Sequence, residues 1–372
     1  MRVAVLGGGH GAYATAADLA LAGHRVRLWR RDERALAPLR ATRTITLAAE
    51  GRQGAAALEL ATTDIREATA GADVVVVPLP ATAHEDLAAT LVGALDERQI
   101  VLLTPGTLGS YALARELARR GATLPFAIAE TGTLPYLARK TGPTSVSAPV
   151  RAANLPVGVF PASRTKDTLT RVAELFPSVR PCADALDAAL TNAGAVIHPP
   201  LVLLNAGAID RGAFDVHAAG TTPSVRRLID AVDAERLAAR ASWGYPAPHY
   251  ELATYYDETR AAEGLYGEGA KAKLVASGLW SESVTFEHRY VSEDAVLGLS
   301  LLESAGRAAG TATSATSGLL TVFGVLLGRE LSGRGRALEA LGLGDLSRRE
   351  IRAFLHEGVT SPAWHRALRG NG

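Results

Sequence analysis

Cysteine and aromatic residues are scarce in this 372-residue chain. It has one cysteine, Cys182, and aromatic side chains make up only 5% of it. A single cysteine can form neither a disulfide within the chain nor a cysteine zinc site, so both are excluded. The opening residues give four apolar residues after Arg2 and then a run of glycines, which is too short for a signal peptide. We therefore expect a cytoplasmic protein.

An excess of charge is also missing. Lysine and arginine total 39 against 38 acidic residues, for a net charge of +1, and only four of the basic residues are lysine. This balance excludes a strong electrostatic footprint for nucleic acid or for an anionic membrane. The longest apolar runs, VVVVPLP and LLTVFGVLLG, are much shorter than the roughly 20 residues that cross a bilayer. We expect small-molecule partners, with no nucleic acid and no membrane.

Apolar runs and helical segments alternate over the first 135 residues. The runs lie at 3–7, 24–29, 74–80, 100–106 and 124–130, with segments rich in alanine and leucine between them. Continuous apolar strands that alternate with helices are typical of a parallel sheet covered on both faces. The pattern predicts an α/β protein whose N-terminal part is a Rossmann-type, doubly wound parallel sheet.

The pattern changes after Asp184. Residues 144–181 still contain strand-like segments and one helix, whereas long helical periods dominate from there to the C-terminus. A chain of this length also favours two cores over one. We predict a dinucleotide-binding domain at 1–184 and a mainly α-helical domain, carrying substrate and catalytic residues, at 185–372.

A glycine loop follows the first predicted strand. Its spacing, Gly7-x-Gly9-x-x-Ala12, fits a dinucleotide fingerprint with alanine in the last position. Gly7 would permit the tight turn, Gly9 the close approach of the pyrophosphate, and Ala12 the packing of the helix on the sheet. The pyrophosphate would lie near Gly11 at the helix N-terminus. His10 is expected to shape the loop, so all these residues are predicted to contact the cofactor.

The second predicted strand ends in Trp29-Arg30-Arg31-Asp32. A site for NAD usually has an acidic residue there, which binds the ribose 2′-hydroxyl. Arginine instead suits a 2′-phosphate, because its guanidinium pairs with phosphate oxygens bidentately. Arg30 and Arg31 therefore favour NADP(H). NAD(H) stays possible if both arginines are only solvated charges, or if the strand extends two residues further and Asp32 is the acid.

Further cofactor contacts are expected from the loops after the other strands, because ligands of open α/β sheets bind there. These predicted contacts are Pro78, Thr104, Pro105, Gly106 and Glu130, with Thr131 on the substrate side. Aromatic residues that could line a substrate pocket, or belong to the core, are Tyr255, Tyr256, Tyr266 and Trp280. No cluster has the spacing of metal ligands, so no metal is expected.

Two segments of the second half carry polar residues in unusual places. His198 lies in an apolar stretch, directly before Pro199-Pro200, and Asn205 follows in the same stretch. A histidine there is either a hydrogen-bonded core residue or an acid/base group. Arg289 and Asp294 lie in the second segment, where they could form a local ion pair or a helix cap, or belong to a site.

Together these motifs resemble the octopine/nopaline (opine) dehydrogenase family over nearly the whole chain. The motifs are GGGHGA at 7–12, TPG at 104–106, ET-x-TLPY at 130–136, NAGAVIHPPLVLLNAG at 192–207, TPSV at 222–225, and HRYVSED at 288–294 followed by Gly298-Leu299. The motifs of the second half are more specific than the glycine loop, which many nicotinamide enzymes share.

The resemblance implies a reaction and its residues. Members of the family couple an amino acid to a 2-oxo acid and reduce the imine by hydride transfer from NAD(P)H. It implies that His198 is the general acid/base, paired with Asp294, and that Arg289 binds a substrate carboxylate. From their positions in the sequence, Thr131 and Asn205 are also predicted to contact the substrate. Histidine suits the proton transfers, and a carboxylate on its second nitrogen would fix the tautomer and raise the pKa of the ring. A homodimer is a possible assembly.

Three other functions stay open from the residues. The first is an NADP(H)-dependent reductase of a 2-oxo acid or a phosphorylated ketone, without amine coupling. The second is a non-catalytic NADP(H)-binding sensor, in which the histidine and aspartate would lie apart. The third is a biosynthetic imine reductase with a substrate unlike the usual opines.

Overall fold

The computed structural model describes residues 1–278 and 281–369. Its strands, in chain order, are β1 (Arg2–Leu6), β2 (Arg25–Trp29), β3 (Thr44–Ala49), β4 (Gly54–Ala57), β5 (Leu60–Thr62), β6 (Val74–Val77), β7 (Ile100–Leu103), β8 (Ala127–Thr131), β9 (Tyr136–Gly142), β10 (Ser145–Arg151), β11 (Leu155–Phe160) and β12 (Val179–Pro181).

The main sheet has eight strands in the order β12-β11-β8-β7-β6-β1-β2-β5. Its centre is parallel, and Val5 pairs with Leu28 on one side and with Val76 on the other. The predicted Rossmann-type sheet is confirmed, with one difference: β11 runs antiparallel to β8. A strand parallel to β8 would need a crossover connection, usually a helix. Here the hairpin of β9 and β10 lies between β8 and β11 in the chain.

A second sheet of four strands, in the order β4-β3-β10-β9, was not expected from the sequence. Its buried side chains, such as Ile45 and Val146, share a core with residues of the first long helix. The strand β9 runs from Tyr136 along this sheet and carries Arg139 and Lys140. This sheet therefore brings basic side chains from the middle of the chain back to the glycine loop.

The α-helices of the first half are α1 (His10–Leu21), α2 (Glu33–Thr42), α3 (Ile65–Thr69), α4 (His84–Leu91), α5 (Gly109–Arg119) and α6 (Thr165–Leu175). Those that follow are α7 (Ala185–Ala189), α8 (Gly194–Leu203), α9 (Ala206–Asp210), α10 (Pro223–Ser242), α11 (Ala253–Tyr256), α12 (Ala270–Ala276), α13 (Ser300–Ala308), α14 (Ser314–Leu327), α15 (Arg348–Glu357) and α16 (Trp364–Arg369).

The second half is helical, as the sequence predicts. In the part of it that the structure describes, β-pairing is limited to an isolated bridge between Asp215 and Ser283. Its longest helix, α10, begins at Pro223 after an N-cap by the Thr222 hydroxyl. Across the described ranges, no helix is both long enough and apolar enough to span a bilayer.

A π-helix covers Tyr290–Leu299 and runs directly into α13. It packs closely on α8, since a Cβ on Gly298 would lie 2.5 Å from the Cβ of Ala195. Likewise, a Cβ on Gly194 would lie 2.7 Å from Oδ1 of Asp294. The small residues of both motifs thus let the two helices approach, and long π-helical segments are rare outside functional sites.

Candidate active site

A cavity of about 380 Å³ extends from the glycine loop to the contact between α8 and the π-helix. Its lining on the sheet side includes Gly9, His10, Gly11, Pro78, Thr104, Pro105 and Arg139. Its lining on the helical side includes His198, His217, Glu282, Arg289, Tyr290, Glu293 and Asp294. A ligand in this cavity would contact both halves of the chain.

His198 and Asp294 are hydrogen-bonded, with 2.7 Å between Nδ1 of the histidine and Oδ2 of the aspartate. His198 lies in α8 and Asp294 lies in the middle of the π-helix. Asp294 is buried, with 4% of its surface exposed. The helix-cap interpretation of Asp294 is wrong, because Arg289 occupies the N-cap position. The remaining ring nitrogen of His198, Nε2, is therefore left for a substrate.

The environment of the His198 ring lowers its pKa. Burial has the largest effect, and the positive charge of Arg289 adds to it, while Asp294 acts in the opposite direction. The sequence-based expectation of a raised pKa is thus wrong in its net direction, because desolvation outweighs the carboxylate. The ring stacks on Tyr290 with 3.5 Å between centroids, which holds its orientation.

Arg289 lies beside this pair at the cavity wall. Its guanidinium carbon is 5.5 Å from the centre of the Tyr290 ring, and its NH1 is 3.7 Å from Oε2 of Glu293. Burial acts to lower its pKa, but the carboxylates of Asp294 and Glu293 outweigh burial and raise it. A permanently charged, planar guanidinium at this position can bind a carboxylate of the substrate.

A second set of hydrogen-bonded side chains in the cavity is centred on Glu282, which the sequence analysis did not identify. Its carboxylate accepts hydrogen bonds from the Tyr290 hydroxyl at 2.5 Å and from Arg139 at 2.6 Å. His217 Nε2 lies 3.0 Å from the same hydroxyl. Burial acts to raise the pKa of Glu282, but hydrogen bonds from His217 and Tyr290 lower it overall. Only Tyr290 had a signal in the sequence, because it lies within the motif HRYVSED.

Glu293 was also missed, although it adjoins Asp294 in that motif. Its side chain is 3% exposed, and its Oε1 accepts from the backbone N–H of Ala81 at 2.8 Å. Burial, with the charge of Asp294, raises the pKa of Glu293 to about 7. Glu293 thereby ties the π-helix to the loop after β6, which also carries the cavity residue Pro78.

The glycine loop has the geometry that a dinucleotide requires. Gly7 has a φ of +144°, and a Cβ there would lie 3.1 Å from Leu79 and 3.3 Å from the Cβ of Ala12. Gly9 precedes α1, which has no side-chain cap, so the N–H groups of its first turn are available to a phosphate. The loop residues present therefore fit the pyrophosphate of a dinucleotide.

The residues after β2 lie where the ribose of a dinucleotide is expected. The strand ends at Trp29, and the Arg30 side chain lies against Gly8, where an added Cβ would be 2.6 Å from Cδ of the arginine. Arg31 is exposed. The Asp32 carboxylate accepts from the N–H of Ala35 and caps α2. Arg30 thus occupies the position of the acid in an NAD site, while Asp32 serves the helix.

Three of the predicted contacts that lie outside the cavity lining have side chains that form hydrogen bonds within the protein. Glu130 is fully buried and accepts from the N–H groups of Leu108 and Ser110, and burial raises its pKa to about 7. Thr131, inside β8, donates to the Thr133 carbonyl at 2.6 Å. Asn205 donates to the backbone carbonyls of Leu201, in α8, and Gly220, in the segment before α10. Each of these side chains forms hydrogen bonds with backbone groups, and their contacts with a ligand stay predictions.

The remaining predicted positions divide by location. Thr104 and Pro105 line the cavity, whereas Gly106 lets the chain pass close to Glu130, whose Cβ would lie 2.3 Å from an added Cβ. Tyr255, Tyr256 and Tyr266 line the cavity, and Trp280 lies outside the described residues. Among the residues that the structure describes, no group of three or more His, Cys, Asp or Glu side chains could hold a metal ion.

Two families match parts of the chain. The family described as NAD/NADP octopine/nopaline dehydrogenase, alpha-helical domain, matches residues 181–327. The N-terminal domain of NAD-dependent glycerol-3-phosphate dehydrogenase matches residues 2–120. Both descriptions name a nicotinamide dinucleotide, which is the cofactor that the glycine loop fits.

Whole-chain relatives agree with the helical-domain match. An opine dehydrogenase from Arthrobacter sp. (strain 1C) is 30% identical over 353 residues, covering 94% of this chain and 97% of its own. Vitopine synthase from Allorhizobium ampelinum is 24% identical and covers 92% and 96%. A structure of octopine dehydrogenase with NADH and agmatine shares the fold, with a TM-score of 0.68, 18% identity and coverage of 94% and 97%. The chain therefore belongs to the octopine/nopaline (opine) dehydrogenase family of NAD- or NADP-dependent oxidoreductases.

Proposed function

We propose that the protein catalyses the NADP(H)-dependent reductive coupling of an amino acid to a 2-oxo acid. The observation that carries the proposal is the His198–Asp294 pair, with Arg289 beside it, in a cavity that reaches the glycine loop. Membership of the opine dehydrogenase family supports the same reaction.

The protein's own residues would act on the substrates in a defined order. The amine adds to the carbonyl of the oxo acid, and loss of water then gives an imine, which requires proton transfers to oxygen and from nitrogen. His198 would carry these protons at Nε2, because Asp294 holds Nδ1 and fixes the tautomer. The nicotinamide, when bound, supplies the hydride that converts the imine to a secondary amine.

Arg289 would fix the oxo acid by its carboxylate, so that the carbonyl carbon stays close to both His198 and the cofactor. Its charge is secure because Asp294 and Glu293 raise its pKa. Glu282 and Tyr290 would hold the wall against which the His198 ring stacks. The tyrosines Tyr255, Tyr256 and Tyr266 would enclose the amine side.

The preference for NADP(H) over NAD(H) is part of the proposal. Arg30 at the end of β2, together with the engagement of Asp32 in capping α2, supports a 2′-phosphate site. A structure of yersinopine dehydrogenase with NADP+ shares this fold at 15% identity and a TM-score of 0.63. That likeness concerns the fold, and the preference rests on Arg30.

A 2-oxo acid reductase without amine coupling is the main alternative. A ketopantoate reductase structure shares the fold at 17% identity and a TM-score of 0.55, so the scaffold is compatible with that chemistry. Such an enzyme would oxidise NADPH with the oxo acid alone. The close contact of His198 with Asp294 speaks against the non-catalytic sensor, which would not need the pair.

The test is a matrix of NADPH-oxidation assays. Amino acids of each chemical class are crossed with pyruvate, glyoxylate and 2-oxoglutarate, and each component is also assayed alone. Coupling predicts oxidation only when both partners are present, with a secondary-amine dicarboxylate as product by mass spectrometry. Oxidation by the oxo acid alone would identify the alternative, and NADPH binding without turnover in any combination would identify a sensor.

Several sequence-based predictions accompany this proposal. The domain boundary near residue 184 is supported by the end of β12 at Pro181 and the start of α7 at Ala185. A cytoplasmic location is supported by the single, buried cysteine. The homodimer and the direct cofactor contacts of the glycine loop stay predictions.

A further inference from the structure

The small sheet places Lys140 against the helix that follows the glycine loop. The backbone N–H of Lys140 donates to Nδ1 of His10 at 2.9 Å. Its ammonium nitrogen lies 3.6 Å from the centre of the Tyr13 ring, on the second turn of α1. The side chain is thus held over the start of this helix by a backbone anchor and an aromatic face.

Arg30 reaches the same loop from β2, where its side chain lies against Gly8. The two cations affect each other, because burial and the charge of Arg30 together lower the pKa of Lys140. The Arg30 guanidinium donates to the Ala35 carbonyl at 3.2 Å, and within the described residues no ion pair joins Arg30 or Lys140 to a carboxylate. Like charges brought together without a counter-charge are destabilising, unless an anion is bound near both.

Two phosphates of the cofactor could supply that anion. The pyrophosphate belongs at the uncapped N-terminus of α1, near Gly9. The 2′-phosphate belongs at the end of β2, where Arg30 lies. Lys140 is anchored at His10, two residues along the loop from Gly8, against which Arg30 lies. Its ammonium is held over Tyr13, three residues beyond the start of α1. This placement favours the 2′-phosphate.

We propose that Lys140 is a second cation for the 2′-phosphate of NADP(H), supplied by β9 opposite Arg30. The proposal rests on the proposed use of NADP(H). It makes the four-stranded sheet part of the cofactor site, because β9 carries Lys140 at the glycine loop and Arg139 in the cavity. Cofactor choice would then depend on two residues that are distant in the sequence.

The test compares Lys140→Gln with the wild type for both cofactors. We expect kcat/KM with NADPH to fall about tenfold, as for loss of one hydrogen bond to a charged group, while kcat/KM with NADH stays within about twofold. Titration with 2′-AMP, which carries the 2′-phosphate without a pyrophosphate, should show a similar loss of affinity. Lys140→Arg should retain most of the preference.

Controls separate the charge from folding. Lys166→Gln removes an exposed lysine on α6 and should leave kcat/KM unchanged with both NADPH and NADH. Lys140→Met keeps an unbranched apolar stem against Tyr13, so it should resemble Lys140→Gln in kinetics even if the latter is unstable. Melting temperatures of all variants are measured in parallel.

The outcomes distinguish the two proposals. Equal losses with NADPH and NADH would place Lys140 at the pyrophosphate or in the scaffold, and would overturn the inference. If the wild type prefers NADPH and Lys140→Gln leaves the NADPH/NADH ratio of kcat/KM unchanged, the inference about Lys140 is overturned while the cofactor preference stands. A wild type without any preference for NADPH would overturn the proposed preference first, and the role of Lys140 with it.

Discussion

The two ends of the cavity are built in different ways. At the cofactor end, the glycine loop and Arg30 come from one continuous segment that includes β1, α1 and β2. This end acts largely through the backbone: Gly7 makes the turn, and the first turn of α1 offers its N–H groups. The loop itself therefore follows from short-range spacing, whereas Lys140 reaches it from β9.

The other end, proposed to be catalytic, is assembled from distant segments and presents side chains. His198 comes from α8, Asp294 and Arg289 from the π-helix and the residue before it, and Arg139 from the small sheet. A site formed by backbone groups can be kept when the surrounding side chains differ, whereas a site formed by side chains depends on how several elements pack. The two ends should consequently fail separately when mutated.

The largest separation is expected for His198→Ala. Loss of the proton-transfer group should reduce turnover about a thousandfold, in the range typical of general acid–base catalysis. The dissociation constant for NADPH, measured by fluorescence titration, should stay within about twofold. Turnover within about tenfold of the wild type would show that His198 is not the acid/base group.

A smaller effect is expected for Arg289→Gln. Loss of a charged hydrogen bond to the substrate should lower kcat/KM for the oxo acid by about thirtyfold. Steady-state kinetics should show this mainly in KM for the oxo acid, with little change in KM for NADPH. Arg289→Lys keeps the charge but not the planar guanidinium, so its kcat/KM for the oxo acid should lie between those of the wild type and Arg289→Gln. An unchanged KM for the oxo acid would remove Arg289 from substrate recognition.

Arg30→Asp should act only at the other end. The NADPH/NADH ratio of kcat/KM should fall about tenfold, because a carboxylate repels the 2′-phosphate and suits a 2′-hydroxyl. Turnover at saturating NADH should be retained. Arg31→Asp is the matched control, since Arg31 is exposed and should leave the ratio unchanged. A ratio that does not move in Arg30→Asp would mean that both arginines are solvated charges.

The smallest effect is a displacement of the pH profile. Because burial lowers the pKa of His198 below its ordinary value of 6.5, its neutral form persists into mildly acidic solution. In the direction of opine oxidation, which needs the neutral base, the acid limb of kcat/KM should lie below pH 6.5. Activity that remains in Asp294→Asn should show this limb at still lower pH, since the Asp294 charge raises the pKa. An acid limb above pH 6.5 in the wild type would contradict a lowered pKa for His198.

The main fold could be predicted because its signals are local. The continuous apolar strands and the glycine spacing each depend on short stretches of sequence, and the Rossmann-type sheet is confirmed. The four-stranded sheet could not be predicted in the same way. Its strands pair across long separations, as in the parallel pairing of Ser145 with Thr46, which no local pattern encodes.

The site shows the same division. The motifs around His198 and Asp294 were visible, and the structure brings the two side chains within hydrogen-bonding distance. Glu282 lies in no recognised motif, so its hydrogen bond from Tyr290 appears only in the folded chain. Glu130 had a position typical of a ligand contact, but its carboxylate turns inward to satisfy the start of α5. Glu130 lies within β8, and the direction of its side chain depends on these backbone donors.

By itself, the sequence determined the sheet, the nucleotide loop, the helical second half and the family, because each depends on residue spacing along one segment. Only the tertiary structure decided which side chains share the cavity, the lowered pKa of His198 and the placement of Lys140 at His10 and Tyr13. The physical reason is that burial and electrostatic interactions depend on distance in space, and packing brings together residues that the chain keeps far apart.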